Sequence, residues 1–308
     1  MSKKNSVVKL GIFSAILGGA YALTNYIYKL TSVPVQHTDE SPDYDKAVTA
    51  GRMFIRNHKN KQDMYIDSID QLKLHATYIP TENNSHRYVI LVHGIKDNHE
   101  YNGIYAQYYL SLDVNCLLPD LRGFGKSEGK YVGYGLDDRL DIMEWIFWII
   151  KRDPQASILL HGMSMGAATV LMTTGEHLPA NVKAAISDSS YSTLKKQFAK
   201  TYKTMKGAVL PASLVVAIAR FIIFIRSGFD INDVRPLDAV TKSKTPTLFI
   251  HGDEDSVIDP LMCSRLYEAA KCEKQYCMIL GSEHIRGVVT DPTNYWGKIR
   301  SFLSKTDF

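Results

Sequence analysis

The pentapeptide Gly162-Met163-Ser164-Met165-Gly166 sets a serine between two glycines. It comes straight after the apolar run Ile158-Leu159-Leu160 and straight before Ala167-Ala168-Thr169-Val170-Leu171-Met172. A serine on a tight strand-to-helix turn projects its hydroxyl from the sheet, and the flanking glycines let neighbouring backbone approach closely. The helix that follows aims its free N–H groups at an oxygen that becomes negative. The chemistry this spacing predicts is nucleophilic attack by Ser164 on an acyl carbonyl.

A hydroxyl needs a base to take its proton, and the base needs a third group to orient it. With this kind of elbow the chain order is serine, acid, histidine. After the run Leu248-Phe249-Ile250 comes His251-Gly252-Asp253-Glu254-Asp255-Ser256-Val257, and after the next expected strand comes Gly281-Ser282-Glu283-His284. His284 is the candidate base, because it follows the right strand and precedes the last expected helix. Asp253, Glu254, Asp255 and Asp259 share one loop as candidate acids, and Asp188 follows an earlier strand.

The elements that must position these residues are legible from periodicity. Met64–Ile69 and Leu72–Ile79 alternate around Asp70-Gln71 and predict a hairpin. Tyr88–Val92 is a continuous apolar run of the kind buried on both faces. Strands are then expected at Val114–Leu118, Ser157–Leu160, Val182–Ser187, Thr247–Ile250 and Tyr276–Leu280. Helices are expected at Tyr101–Leu112, Asp137–Ile150, Met165–His177, Pro260–Ala270 and Tyr295–Leu303. This alternation implies an α/β fold with a mainly parallel sheet covered on both faces. Residues 192–240 interrupt it with Lys195, Lys196, Lys200, Lys203 and Lys206, then Pro211 and the apolar run Leu214–Ile225 broken by Arg220. An inserted helical cap is the expectation. The lysines mark either a solvated helical face or a contact with an anionic membrane surface.

Four motifs occur in order: His93-Gly94-Ile95-Lys96-Asp97-Asn98, Asp120-Leu121-Arg122-Gly123-Phe124-Gly125-Lys126-Ser127, the serine elbow, and His251-Gly252-Asp253-Glu254-Asp255. With them the chain resembles the α/β-hydrolase superfamily, and more narrowly membrane-anchored bacterial serine hydrolases, over roughly residues 60–305. The resemblance implies an α/β-hydrolase fold with a helical cap, Asp255 as the acid, and the backbone N–H groups of Ile95 and Met165 as the oxyanion donors. One position departs from the family: Glu283, not glycine, precedes His284. Its carboxylate either raises the imidazole pKa or faces solvent.

The expected substrate is a small-molecule or lipid-like carboxylic ester, cleaved through an acyl-enzyme with no metal and no organic cofactor. The same triad serves an amidase or peptidase, and a non-catalytic binding protein on this fold is the reading from another class. A dehalogenase-like enzyme would need Asp where Ser164 stands. Gly125-Lys126-Ser127 is not a phosphate loop, because the required first glycine falls on Asp120. No His-Glu-x-x-His occurs. Net charge is +4 without a long basic run, so nucleic acid is not an expected partner. No protein partner is identified. Cys116 reads as a buried thiol, and Cys263, Cys272 and Cys277 leave a bridge open.

Lys3, Lys4 and Lys9 precede an apolar stretch from Leu10 to about Tyr28, and the acidic residues Asp39, Glu40, Asp43 and Asp45 follow it. This pattern predicts an N-terminal anchor over residues 1–30 with the catalytic domain outside the cytoplasm. The competing expectation is a signal segment cleaved near Ala22, giving a secreted protein. Residues 31–62 read as a tether and first helix, and 63–308 as the hydrolase domain.

Overall fold

A strand covered on both faces must be apolar at every position, with odd and even side chains feeding separate cores. The chain obeys this. Tyr88, Ile90 and Val92 pack into one core while Val89 and Leu91 pack into the other. The strand that leads into the serine turn divides in the same way, Ile158 and Leu160 against Leu159 and Met163. The first core is closed by Ile142, Trp145 and Ile146, the second by Ile55, Tyr105, Tyr109, Tyr295 and Ile299.

The structure, a computed structural model, describes residues 25–26, 28–29, 31–35, 46–206 and 208–308. The first half runs α1 (Lys46–Asn57), β1 (Gln62–Asp67), β2 (Lys73–Ile79), β3 (Arg87–Val92), α2 (Gly103–Ser111), β4 (Asn115–Pro119), α3 (Asp138–Arg152) and β5 (Ser157–Met163). Then come α4 (Met165–Thr174), β6 (Val182–Asp188), α5 (Leu194–Thr204), α6 (Ala212–Ser227), α7 (Pro236–Val240) and β7 (Thr247–Gly252). The chain closes with α8 (Leu261–Ala269), β8 (Lys274–Ile279), α9 (Gly287–Thr290) and α10 (Pro292–Leu303). The eight strands form one sheet in the order β1-β2-β4-β3-β5-β6-β7-β8. Only β1–β2 and β2–β4 pair antiparallel. This is the α/β sheet expected from the alternation of elements.

Several boundaries differ from expectation for local reasons. The first strand ends at Asp67, not Ile69, because Ser68 folds the chain back: its N–H donates to Leu72 O at 2.8 Å and its Oγ accepts from Leu72 N at 2.8 Å. The helix expected from Tyr101 starts at Gly103, because Asn98 caps a 3₁₀ turn over His99–Asn102. Gly103 also crosses Gly51 of α1 so closely that a Cβ there would lie 1.9 Å from Gly51 O. The helix after the elbow stops at Thr174 rather than His177. The last helix starts earlier than expected, with Pro292 in its first turn and Asp291 accepting from Asn294 N.

Between β6 and β7 the chain leaves the sheet and builds α5 and α6. It leaves and returns at one point: Leu194 N donates to Val234 O at 3.1 Å, and Leu237 N to Ser192 O at 3.0 Å. The inner side of α6 (Val216, Ala219, Ile222, Ile223) is buried. Residues before α1 touch this insertion as well. Tyr28 Oη lies 3.2 Å from Ser227 Oγ, and the Arg226 guanidinium stacks over the Tyr28 ring at 4.9 Å. The N-terminal segment read as an anchor or signal, with its cleavage point near Ala22, lies outside the described residues up to position 24. Among the described residues no helix is long and apolar enough to cross a membrane. All four cysteines are free thiols.

Candidate active site

Ser164 ends β5 and opens α4 with φ 55° and ψ −116°, a conformation that costs a non-glycine residue about 1–3 kcal/mol. Its surroundings force the turn. Ser164 N donates to Asp188 O at 2.8 Å, tying the turn to β6, and Ser164 O accepts from Ala168 N at 3.1 Å. A Cβ on Gly162 would fall 2.2 Å from Gly166 O, and one on Gly166 2.1 Å from Val92 O. Both glycines are therefore required by close backbone approach. Ser164 itself is only 7% exposed.

His284 and Asp255 arrive on loops that leave β8 and β7. His284 Nε2 lies 2.9 Å from Ser164 Oγ, and His284 Nδ1 lies 2.7 Å from Asp255 Oδ2. Because an ionised carboxylate only accepts, Nδ1 carries the proton and Nε2 is free to accept from the serine hydroxyl. Asp255 Oδ1 accepts from Val257 N and Ile258 N, both at 2.8 Å. Burial raises the Asp255 pKa, but hydrogen bonds from His251 and His284 outweigh it and hold the carboxyl below the ordinary range. His251 had no role in the sequence reading beyond its motif. Its Nε2 lies 2.9 Å from Asp255 Oδ2 and donates to it, and its buried Nδ1 has no hydrogen-bond partner among the described residues.

The other candidate acids are engaged elsewhere. Asp259 Oδ1 caps Leu261 N at 3.0 Å, and Asp253 Oδ1 faces Ser282 N at 3.4 Å, while Glu254 is exposed. Buried Asp188 accepts from Tyr295 Oη at 2.8 Å and from Ser189 Oγ at 2.9 Å, and burial raises its pKa. Tyr295 Oη also lies 3.2 Å from His161 Nε2, and Tyr109 Oη 3.0 Å from His161 Nδ1. Burial pushes His161 down to about 3, so it is neutral. The side chain of Glu283 is exposed to solvent.

The loop after β3 is fixed by His93. Its Nε2 accepts from Leu121 N at 3.0 Å, so Nδ1 carries the proton and donates to Gly94 O at 2.7 Å. Burial lowers the His93 pKa to about 4. Gly94 lies against the serine: a Cβ there would be 3.3 Å from Ser164 Cβ and 3.9 Å from Oγ. Ile95 follows directly on this loop, and Met165 is the first residue of α4. The Asp120 motif binds the same loop from below. Its carboxylate accepts from His75 Nδ1 (2.7 Å), His99 Nδ1 (2.8 Å), His99 N (2.8 Å) and Lys126 N (2.9 Å). His75, His99 and Asp120 form a cluster with metal-ligating side chains, but these four bonds fill the carboxylate's acceptor positions. Two open clefts, about 500 and 650 Å³, lie elsewhere, the first beside β8 around Tyr267, Lys274 and Lys298, the second beside α1.

Residues 88–233 match the family model described as alpha/beta hydrolase fold. The chain is 26% identical over 261 residues to YqkD of Bacillus subtilis, a protein described as uncharacterised, covering 80% of this chain and 85% of that one. It is 23% identical over 318 residues to the alpha/beta hydrolase domain-containing protein WAV2 of Arabidopsis thaliana, covering 97% and 94%. Among solved structures it is similar to the Pyrococcus furiosus esterase Pf2001, with TM-score 0.66, 20% identity, and coverage of 89% of this chain and 98% of that one. It is also similar to Est1E of Butyrivibrio proteoclasticus, solved with ferulic acid, with TM-score 0.58, 22% identity, and coverage of 77% and 99%.

Proposed function

We propose that this chain, which has the α/β-hydrolase fold, is a serine hydrolase that cleaves carboxylic esters through an acyl-enzyme on Ser164. The observation that carries the reading is the unbroken line from Ser164 Oγ through His284 to Asp255, with separations of 2.9 and 2.7 Å. His284 Nε2 takes the serine proton as Oγ bonds to the acyl carbon. Asp255 keeps the proton on Nδ1 and stabilises the imidazolium that forms. The developing oxyanion meets the N–H groups of Ile95 and Met165, the second of which starts a helix and brings the positive end of its dipole. His284 then protonates the leaving alkoxide. Water, deprotonated by the same nitrogen, attacks the acyl carbon and restores Ser164.

Labelling with a fluorophosphonate probe tests the reading. Wild type labels and Ser164→Ala does not. A folded wild type that fails to label overturns it. Hydrolysis of p-nitrophenyl esters beside the matching anilides then separates an esterase from an amidase on the same triad.

A further inference from the structure

We propose that the outer face of α6, together with the lysine-rich α5, docks on an anionic lipid surface. Leu214, Phe221, Phe224 and Ile225 recur on α6 at helical spacing and are 48%, 67%, 54% and 65% exposed. Val209 and Leu210, on the connection into α6, are 88% and 51% exposed. Large exposed apolar side chains recurring along one helix in this way mark an interaction surface.

Charge selects the occupant. Between Asp188 and Asp230 the chain carries seven Lys or Arg and no Asp or Glu, whereas the whole chain carries only +4, so the remainder is net negative. Lys195, Lys196, Lys203 and Lys206 are exposed. On α6 itself, Arg220 pairs with Asp230 and Arg226 stacks on Tyr28. Apolar residues beside basic ones fit an anionic bilayer surface, where the lysines meet headgroups and the phenylalanines enter the acyl boundary. At 16 residues, α6 is too short to span and lies in the surface plane.

The path of the chain gives an independent second argument. The apolar run that begins at Leu10 continues into Tyr28, and Tyr28 contacts Ser227 and Arg226 at the end of α6. Tyr28, the described residue where that run ends, therefore sits at the C-terminal end of α6. Residues 1–24 are themselves a poor cover for it, because Lys3, Lys4 and Lys9 add positive charge to a basic surface. The docking surface is independent of the chemistry at Ser164.

The test uses the full chain with vesicles of phosphatidylcholine alone, or mixed with phosphatidylglycerol, each with and without brominated acyl chains. Phe224→Trp is the probe, and wild type supplies the background of Trp145, Trp148 and Trp296. The expected result is bromolipid quenching of the introduced emission in the anionic vesicles and little in the neutral ones. Lys203→Glu with Lys206→Glu lowers the vesicle partition constant by at least roughly fivefold for each basic side chain removed. Thermal midpoints like wild type show that the variants fold, and Leu214→Trp repeats the test from another turn. Absence of quenching, or quenching that ignores lipid charge, overturns the proposal. So does a blue-shifted emission already present without lipid, which would place residues 1–24 or a second copy over the face.

Discussion

Replacing Asp255 by Asn removes one negative charge while keeping the shape, and the contacts around it set the outcome. The amide that Asp255→Asn introduces keeps an oxygen for Val257 N and Ile258 N, the two bonds that hold its loop. Its NH2 then faces His284 Nδ1 and His251 Nε2, where the carboxylate oxygen accepted from both. His284 must accept at Nδ1 and carry its proton on Nε2, 2.9 Å from Ser164 Oγ. In that tautomer it cannot take the serine proton. The expected loss in turnover is about 10⁴-fold, or ~5.4 kcal/mol at about 1.36 kcal/mol per decade. The assay is the acylation burst with p-nitrophenyl acetate, alongside the second-order rate of fluorophosphonate labelling. Asp188→Asn is the control, because Asp188 bonds Tyr295 and Ser189 and not His284. Its expected cost is under roughly tenfold, the scale of one hydrogen bond. A reversed order, or Asp255→Asn within roughly tenfold of wild type, would refute the assignment of the acid and the tautomer argument with it.

Gly166→Ala drives a Cβ to 2.1 Å from Val92 O, so it should cost at least about 1–3 kcal/mol in urea unfolding and abolish probe labelling. Arg122→Ala leaves buried Asp141, 2.7 Å from the guanidinium, without its counter-charge, and should cost about 3–5 kcal/mol in the same assay. Burial, then repulsion from Asp141, raises the Asp138 pKa from 3.8 to about 7. The folded state thus binds the extra proton in that window. Its stabilisation is complete below pH ~3.8 and is lost as pH rises to ~7, by up to about 4 kcal/mol. Thermal midpoints between pH 4 and 8 should therefore fall less steeply for Asp138→Asn than for wild type; parallel curves would contradict the buried-acid argument.

The sequence was informative where chemistry and chain contiguity coincide. A parallel strand buried on both faces has to be an apolar run, so Tyr88–Val92 and Leu248–Ile250 were readable directly. The serine turn was readable because both glycines and both flanking elements lie within a few residues of it. Edges were less legible: β1 is exposed along much of its length, so alternation alone set its end two residues late. Outside the motifs, contacts that depend on distant chain segments gave no signal. His161 meets Tyr295 across 134 positions, and Arg122 pairs with Asp70 across 52. His251 was within a quoted motif, yet its place on Asp255 Oδ2 follows from how the β7 loop curls back, which spacing does not encode. The exposure of Glu283 depends in the same way on the loop's path after β8.

The two hydrogen bonds between Leu194 and Val234 and between Ser192 and Leu237 close the inserted segment at its base. None of the described hydrogen bonds that hold Ser164, His284 and Asp255 comes from residues 193–246. A segment pinned at its neck, which reaches the Asp255 loop through the Gln197 side chain donating to Val257 O at 3.0 Å, is close to a graftable unit. Loop-closure cost grows only slowly with length, so a longer or shorter replacement between the same two end points adds little closure cost, provided it covers the core that Val216 and Ile223 now bury. Under the proposed function, substrate preference can then change by exchange of this unit, or by splicing at Thr193 and Arg235, with the hydrogen bonds among Ser164, His284 and Asp255 kept.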